Sequence, residues 1–381
     1  MSTTLKAALT QAPLATASAK SRFYRPELDV LRFFAFMAVF VHHGIYSLSP
    51  LVSITGGFGL SLFFFLSAFL ITELLQRERQ LTGTVAIRAF YIRRILRIWP
   101  LYFGALGFAI ILGWAFPSHR VSAGFVLSFV FMLGNTYIGS YGFPNTPVGV
   151  LWSISVEEQF YALWPILNRF CTRQTLIGIA ALFLPLGGVT VLVLTALHKT
   201  PAIGIWTNSF VQFQMFGLGA LLALALQGRI VAWPLPVRIL LIVAGCLLWI
   251  AAALFSGIAD FVPRHGPGPL VGYYLVGLGC AAFILALLGL QRQWMPRHLV
   301  YLGKISYGLY VFHQASLDAA SFLFNHINGT DSRSHHVVYG VGHLTLGLLL
   351  SVCLAIVSYR YFESPFLRLK ESYTVVRSRS V

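Results

Sequence analysis

Arg32 and His43 are the two residues of this chain whose types and spacing most clearly point to chemistry. The ten residues between them, FFAFMAVFVH, are almost wholly apolar and suit a membrane interior. In a helix, eleven positions make about three turns and rise about 16 Å, so both side chains lie on one face. A central arginine costs about 2.5–3.5 kcal/mol on insertion scales, and such residues normally face protein or a wet cavity. The spacing therefore predicts that the protein handles a polar group across the bilayer.

Each member of this pair also has a simpler interpretation. Arg32 could extend its side chain to the membrane boundary, where Asp29, three positions earlier, could pair with it. His43 could be an interfacial histidine. Their position on a single helix face favours a joint function.

A second polar group interrupts the apolar segment 149–167, GVLWSISVEEQFYALWP, which carries Glu157, Glu158 and Tyr161. Two adjacent carboxyls without a cation nearby in sequence are costly in a membrane, so at least one is expected to face a polar cavity. The alternative is an interfacial pair at a kinked helix end. Counting residues from the helix ends places Glu157 near the depth of His43, in the outer half of the membrane.

Two more histidines, His313 and His343, fall near that depth by the same count. They are candidates for the same site, although each could instead be a packed histidine held by hydrogen bonds.

The stretch FYIRRILRIWP places Arg93, Arg94 and Arg97 directly before an apolar segment. Arg94 and Arg97 share a helix face because they are three positions apart. Paired guanidiniums suit polyanionic ligands, so this stretch predicts a phosphate clamp. The alternative is a positive cluster that only sets topology. Upstream, GGFGLSLFFFLSAFLI contains small residues that allow close packing against the first helix.

The elements that carry these residues must be membrane helices. The chain has 381 residues, 57% hydrophobic and only 10% charged, with a mean hydropathy of +0.77, whereas soluble domains are about 25% charged. The net charge of +16 comes from basic residues in short loops, which is typical of membrane topology and not of nucleic-acid binding. Four cysteines without C-x-x-C spacing predict neither a metal site nor a disulfide framework.

The apolar pattern predicts an all-α polytopic membrane protein with about ten transmembrane helices. The predicted spans are 29–48, 57–75, 98–116, 149–167, 175–197, 206–227, 237–256, 270–290, 300–324 and 337–358. Basic residues gather on one side when segment 122–138 does not span, and this bias predicts that both termini are cytoplasmic. The predicted organisation is a disordered cytoplasmic tail over 1–24, one membrane domain over 25–366 and a short basic cytoplasmic tail over 367–381.

The ordered set of motifs resembles the integral-membrane acyltransferase-3 family. The set is Arg32-x10-His43, GGFGLSLFFFLSAFLI, RRILRIWP, LWSISVEEQFYALWP, YLGKISYGLYVFHQ and YRYFESPF, over about residues 25–366. That family includes O-antigen and exopolysaccharide O-acetylases, nodulation-factor acetylases and macrolide acyltransferases. Ala68 stands where the family often has glycine, a departure expected to alter packing more than chemistry.

The resemblance implies an O-acyltransferase of the bacterial inner membrane. It takes an acyl group, usually acetyl, from cytoplasmic acyl-CoA to a hydroxyl of a carbohydrate or glycolipid acceptor. By position, Arg32 and His43 resemble the family's essential first-helix pair, Arg94 and Arg97 its cytoplasmic arginine motif, and Glu157 its SxE glutamate. His43 would act as general base or transient acyl carrier, with Glu157 orienting it or stabilising its charge.

Other functions stay open on the sequence alone. The acceptor could be a cell-surface polysaccharide, its lipid-linked precursor, or a small molecule such as a macrolide sugar. A flippase of lipid-linked sugar could use the same polar cavity without chemistry, and so could a non-catalytic subunit of a polysaccharide assembly machine. The oligomeric state is not predicted.

Overall fold

The computed structural model describes residues 24–44, 49–197, 202–258, 267–328 and 336–374. In these ranges every regular element is a helix. The predicted tail over 1–24 lies almost entirely outside the described residues, and the predicted tail over 367–381 lies partly outside them.

Ten helices in the described ranges have 18 residues or more. They are α1 (Pro26–Gly44), α2 (Pro50–Thr82), α3 (Ile87–Ala115), α6 (Trp152–Phe170), α7 (Arg173–Ala196), α9 (Ser209–Leu226), α10 (Leu235–Phe255), α11 (Gly268–Leu287), α13 (Ser306–Asn328) and α14 (His336–Val357). The shorter helices are α4 (Ala123–Val130), α5 (Gly134–Tyr141), α8 (Ala202–Trp206), α12 (Arg297–Lys304) and α15 (Ser364–Glu371). Three 3₁₀ turns, Pro117–His119, Pro147–Leu151 and Arg292–Trp294, and one π-helical turn, Ser358–Glu363, connect them.

Seven of the described helices are long and apolar enough to cross a membrane: α2, α3, α7, α9, α10, α11 and α14. The three remaining long helices are α1, α6 and α13. They carry several of the polar residues singled out above, which lower their mean hydropathy: Asp29, Arg32 and His43 on α1, Glu157 and Glu158 on α6, and His313 on α13. The all-helical class is confirmed, while the number of ten spans and the cytoplasmic placement of the termini stay predictions.

Segment 122–138 forms two helices of eight residues, α4 and α5, in place of one long helix. At 1.5 Å per residue each is about 12 Å long, too short to cross a 30 Å hydrocarbon core. The predicted single span 300–324 needs correction, because the chain breaks at Ile305 between α12 and α13. Hydropathy could not locate that break, since both helices contribute to one apolar run.

α2 is the central helix of the bundle. In its most apolar window 78% of residues are buried, compared with 22% for α10 at the periphery. Two of its three glycines, Gly56 and Gly59, lie against α1 so closely that a Cβ at either position would be 2.5 Å from the carbonyl oxygen of Ala38 or Ala35, respectively. The predicted packing of the glycine-rich segment on the first helix is therefore confirmed.

A separate apolar cluster fixes α1 against α13. Phe36 and Phe40 of α1 are fully buried in it with Leu309 and Leu317 of α13. At about 25 cal/mol per Å² of apolar surface, fully burying one such side chain contributes about 1.5–3 kcal/mol. This contact sets the position of α13 along the axis of α1. It therefore also sets the positions of the histidines on the two helices relative to each other.

Candidate active site

Two histidines from different helices meet at the end of α1. Nδ1 of His43 lies 2.9 Å from Nε2 of His313, with ring centroids 4.9 Å apart. Nδ1 of His313 lies 2.6 Å from the carbonyl oxygen of Tyr310, one turn earlier in α13. The structure therefore places two of the sequence-predicted candidates in direct contact.

The hydrogen-bond pattern assigns the tautomers of this pair. Because a carbonyl oxygen only accepts, Nδ1 of His313 must carry its proton, and Nε2 of a neutral His313 is then an acceptor. Nδ1 of His43 donates to that acceptor, which leaves the lone pair on Nε2 of His43. His313 is fully buried, whereas His43 is exposed. The basic nitrogen is thus oriented by a buried partner and belongs to the accessible member of the pair.

His42 has a different environment, although it is adjacent in sequence. Its Nδ1 lies 2.8 Å from the carbonyl oxygen of Ser53 at the start of α2. This hydrogen bond anchors the end of α1 to α2.

Tyr310 connects the histidine pair to a cavity in the bundle. Its ring centroid lies 5.4 Å from that of His313, and its hydroxyl bonds to Ser153 at 2.7 Å and to the carbonyl oxygen of Val150 at 2.9 Å. Tyr310 and Ser153 also line the cavity, so α13 and the start of α6 form its wall on the histidine side.

The cavity has a volume of about 650 Å³, including its open mouth. Its lining residues come from α1, α2, α3, α6 and α13. They are Arg32, Leu60, Phe63, Phe64, Ser67, Arg94, Arg97, Ile98, Ser153, Ile154, Glu157, Tyr161, Ser306, Tyr307 and Tyr310. The mixture of aromatic walls and a few polar groups is typical of a small-molecule site.

A second cavity of about 650 Å³ adjoins the first, away from the histidine pair, and includes Asp29 and Arg25 in its lining. Arg32, Arg94 and Arg97 line both cavities, together with Ser67 and Tyr161. We call the three arginines the arginine junction. Three guanidiniums that line both cavities create a strongly positive region that suits phosphate groups.

Glu157 lines the first cavity together with the arginine junction. Its Oε1 accepts hydrogen bonds from the hydroxyls of Ser67 and Tyr161. The guanidinium of Arg94 lies 5.1 Å from the ring centroid of Tyr161, within cation–π range. The sequence predicts that Glu157 lies at a similar depth to His43 and orients it. In the structure, the side chain that bonds to His43 is His313.

Glu158, adjacent to Glu157, points elsewhere. It accepts a hydrogen bond of 3.1 Å from the indole of Trp99 and does not line the first cavity. The structure therefore separates the two carboxyls that the sequence placed together.

Two further sequence candidates, Arg93 and His343, line neither cavity and bond to groups elsewhere in the bundle. Arg93 donates to Glu78 at 3.1 Å and to the carbonyl oxygen of Tyr373 at 2.8 Å, which ties the end of the described chain to α2 and α3. His343 bonds to Ser321 at 2.9 Å and to the carbonyl oxygen of Leu317. For His343 the alternative interpretation, a packed and hydrogen-bonded histidine, describes the geometry.

Sequence reasoning missed Tyr310, Ser67 and Ser153. Tyr310 precedes His313 by three positions in YLGKISYGLYVFHQ, so the i, i+3 spacing could have placed it on the histidine face. Ser67 and Ser153 have no comparable signal, because isolated serines are common in membrane helices.

Comparison with known proteins adds an independent finding. A family model described as an acyltransferase domain, acyltransferase 3, matches residues 25–360. "Putative O-acetyltransferase SAS0844" of Staphylococcus aureus is 28% identical over 375 residues, covering 91% of this chain and 58% of that protein. No solved structure gives a significant match.

Two relatives have names that specify an acceptor. "Putative peptidoglycan O-acetyltransferase YrhL" of Bacillus subtilis is 25% identical, covering 90% of this chain and 55% of its own length. "Peptidoglycan O-acetyltransferase OatA" of Listeria monocytogenes is 26% identical, covering 77% of this chain and 49% of its own length. The chain thus spans about half the length of the curated relatives it matches.

Proposed function

The chain belongs to the acyltransferase-3 family, and we propose that it is a multi-pass membrane enzyme that moves an acetyl group from acetyl-CoA to a hydroxyl of a cell-surface carbohydrate. One observation carries this proposal. The arginine junction and the His43–His313 pair lie toward opposite ends of α1, on either side of one cavity. This arrangement suits a donor with a polyanionic end and a reactive end.

The arginine junction would hold the phosphates of CoA. Bidentate hydrogen bonds from guanidiniums to phosphate are both strong and directional. Arg94 and Arg97 are half-buried, so their charges are less screened than those of fully exposed residues. The pantetheine arm would extend through the first cavity toward Tyr310, past the aromatic side chains of Phe63 and Phe64.

At the far end, Nε2 of His43 acts as the general base. It takes the proton of the acceptor hydroxyl while the hydroxyl oxygen attacks the thioester carbonyl. The new C–O bond forms, the C–S bond breaks, and the thiolate of CoA leaves with the proton returned by the His43 imidazolium. A positioned base of this kind contributes about 10²–10⁴-fold in rate.

The proposal includes an orientation in the membrane. The positive residues of the loops favour a cytoplasmic position for the arginine junction, and His43 then lies toward the opposite face. Acetyl-CoA would enter from the cytoplasm, and the acceptor would approach from outside the cytoplasmic membrane of a bacterium. The relatives named for peptidoglycan support a glycan acceptor over a small molecule.

The test is acetyl transfer by the purified protein in liposomes. Acetyl-CoA labelled in the acetyl group is added on one side, glycan fragments on the other, and labelled glycan is measured by mass spectrometry. Label should appear with the wild type and not with His43→Ala of equal thermal stability.

Two rival functions predict different outcomes. A flippase of lipid-linked sugar moves substrate without consuming acetyl-CoA. A non-catalytic subunit retains its function when His43 is replaced by alanine. Glycan labelling that persists in His43→Ala would overturn the proposed role of the histidine pair.

A further inference from the structure

A third cavity, which none of the preceding chemistry uses, lies at the histidine end of the bundle. It has a volume of about 630 Å³, including its open mouth, and is formed by α5, α8, the start of α9 and the end of α7. Its lining residues are Asn135, Thr136, Gly139, Ser140, Leu194, Gly204, Thr207, Asn208, Ser209 and Phe210. We call it the amide–hydroxyl cavity.

Two packing contacts fix the level of this cavity along the bundle. Trp206, at the end of α8, packs on Phe58 of α2 with ring centroids 6.5 Å apart. Gly57, the residue before Phe58, lies so close to His42 that a Cβ there would be 3.3 Å from its Nδ1. The amide–hydroxyl cavity is therefore at the height of His42 and His43, separated from them by α8 and the start of α2.

The floor of the cavity is a closed set of hydrogen bonds between three helices. Asn135 of α5 donates to Ser209 of α9 at 2.9 Å and accepts from Gln159 of α6 at 3.0 Å. Ser209 in turn donates to Gln159 at 2.5 Å. Asn135 also donates to the carbonyl oxygen of Thr207 at 3.0 Å and is 3% exposed. Because these amide and hydroxyl groups bond to one another, the network holds the floor of the cavity rigid.

The rim offers neutral polar groups and one aromatic ring. Thr136 and Ser140 are exposed, and they share one face of α5 because they are four positions apart. Phe210 is 52% exposed on α9. None of the described lining residues is charged. This chemistry differs from the arginine junction, and it suits a ligand with many hydroxyls and no phosphate.

We propose that the amide–hydroxyl cavity binds a neutral sugar unit of the acceptor glycan, at a distance from the unit that is acetylated. The inference rests on the proposed function, because it assumes that the acceptor is a carbohydrate. Since α8 and the start of α2 separate the cavity from His43, one sugar cannot occupy both places. An acceptor of several sugars can, so the enzyme prefers an oligosaccharide to a monosaccharide or a small glycoside.

The experiment fills the cavity and measures glycan binding. Ser140→Trp places a large side chain in the rim, and Thr136→Trp does so from one turn earlier should the first variant not fold. Ser118→Trp is the matched control, since Ser118 is an exposed serine at the same end of the bundle that does not line the cavity. The ligands are soluble peptidoglycan disaccharide and tetrasaccharide, titrated against detergent-purified full-length protein. Acetyl-CoA affinity is measured in parallel.

The wild type and Ser118→Trp should bind the tetrasaccharide equally, and more tightly than the disaccharide. Ser140→Trp should bind the tetrasaccharide at least tenfold more weakly, with unchanged acetyl-CoA affinity. Equal tetrasaccharide affinity in Ser140→Trp and Ser118→Trp overturns the inference, and so does a wild type that binds neither fragment.

The proposed function fails separately, on a different measurement. If the wild type moves no acetyl group from acetyl-CoA to glycan, the proposed reaction is wrong whether or not the fragments bind. If acetyl transfer occurs but Ser140→Trp leaves the acceptor KM unchanged, the reaction stands and the cavity has no part in acceptor binding.

Discussion

Nδ1 of His43 and Nε2 of His313 lie 2.9 Å apart, and a backbone carbonyl holds the far side of His313. A base is usually oriented by a third group, often a carboxylate. Here that group is a neutral imidazole. It fixes the tautomer and the direction of His43 without placing a second charge in the membrane, where an unpaired charge costs several kcal/mol.

The first prediction separates three histidines by their roles. We expect His43→Ala to abolish acetyl transfer and His313→Ala to lower kcat by about 10–10²-fold, part of the effect of a placed base. His313→Gln should recover some of that loss, since its amide can accept from Nδ1 of His43. The measurement is kcat and KM for acetyl transfer, with its pH profile.

His343→Ala is the control, because His343 contacts Ser321 and Leu317 and lies outside the cavities. Its kcat should stay within about threefold of the wild type, a change of less than 1 kcal/mol. A purely structural role for His313 would lower thermal stability and leave the pH profile of the remaining activity unchanged. That result would contradict the tautomer assignment.

The second prediction concerns the arginine junction. Arg94→Ala and Arg97→Ala should each raise the KM for acetyl-CoA about tenfold to a hundredfold. Hydrogen bonds to charged groups contribute about 1.5–3 kcal/mol net, and 1.4 kcal/mol is a factor of ten. Added salt should raise the wild-type KM through screening and affect the variants less.

Arg88 provides the matched control for those variants. It belongs to the same helix, α3, is exposed and lines neither cavity of the junction. Arg88→Ala removes the same charge and should leave the donor KM unchanged. A similar KM increase in all three variants would mean that the arginines act only through overall charge.

The third prediction separates Arg93 from its neighbours in sequence. Arg93 pairs with Glu78, and both are buried. Breaking one partner of a buried pair costs about 3–5 kcal/mol, so Arg93→Ala should lower the thermal unfolding midpoint in detergent. The donor KM of the folded fraction should not change. A raised donor KM without loss of stability would instead indicate that Arg93 binds the CoA phosphates.

The fourth prediction tests Glu157 by removing its charge and keeping its shape. Both hydroxyl donors, Ser67 and Tyr161, point to Oε1, so glutamine can retain both hydrogen bonds. Charge-assisted hydrogen bonds are about twice as strong as neutral ones, and Tyr161 supports Arg94. Glu157→Gln should therefore raise the donor KM severalfold and leave the pH profile of kcat unchanged. A large kcat loss at unchanged KM would instead restore the sequence-based role of orienting His43.

The sequence predicts much of this site because membrane burial makes polar residues conspicuous. Arg32, His43 and Glu157 stand out in apolar segments, and helix geometry places each at a depth. Depth does not give the direction around the helix axis, which depends on packing contacts such as Phe36 against Leu309. For this reason the sequence could not show that Glu157 bonds to Ser67 and Tyr161, or that Arg93 pairs with Glu78.

The break at Ile305 was missed for a related reason. Hydropathy averages over both α12 and α13, whereas the helix ends where Gly303 must approach α1. A close backbone contact between distant segments leaves only a glycine as its sign in the sequence, and the chain has 34 glycines.

The last prediction follows from that contact. A Cβ at Gly303 would lie 1.8 Å from the carbonyl oxygen of Asp29, so alanine must push α12 away from α1. Overpacking of this kind costs about 1–3 kcal/mol. Because α13 begins two residues after α12, the shift also moves His313 relative to His43, and Gly303→Ala should lower both the unfolding midpoint and kcat. Gly107→Ala is the control, since a Cβ at that helical position meets nothing within 4 Å and alanine should stabilise the helix slightly. If Gly303→Ala matches Gly107→Ala in both measurements, the contact between α12 and α1 does not set the histidine geometry.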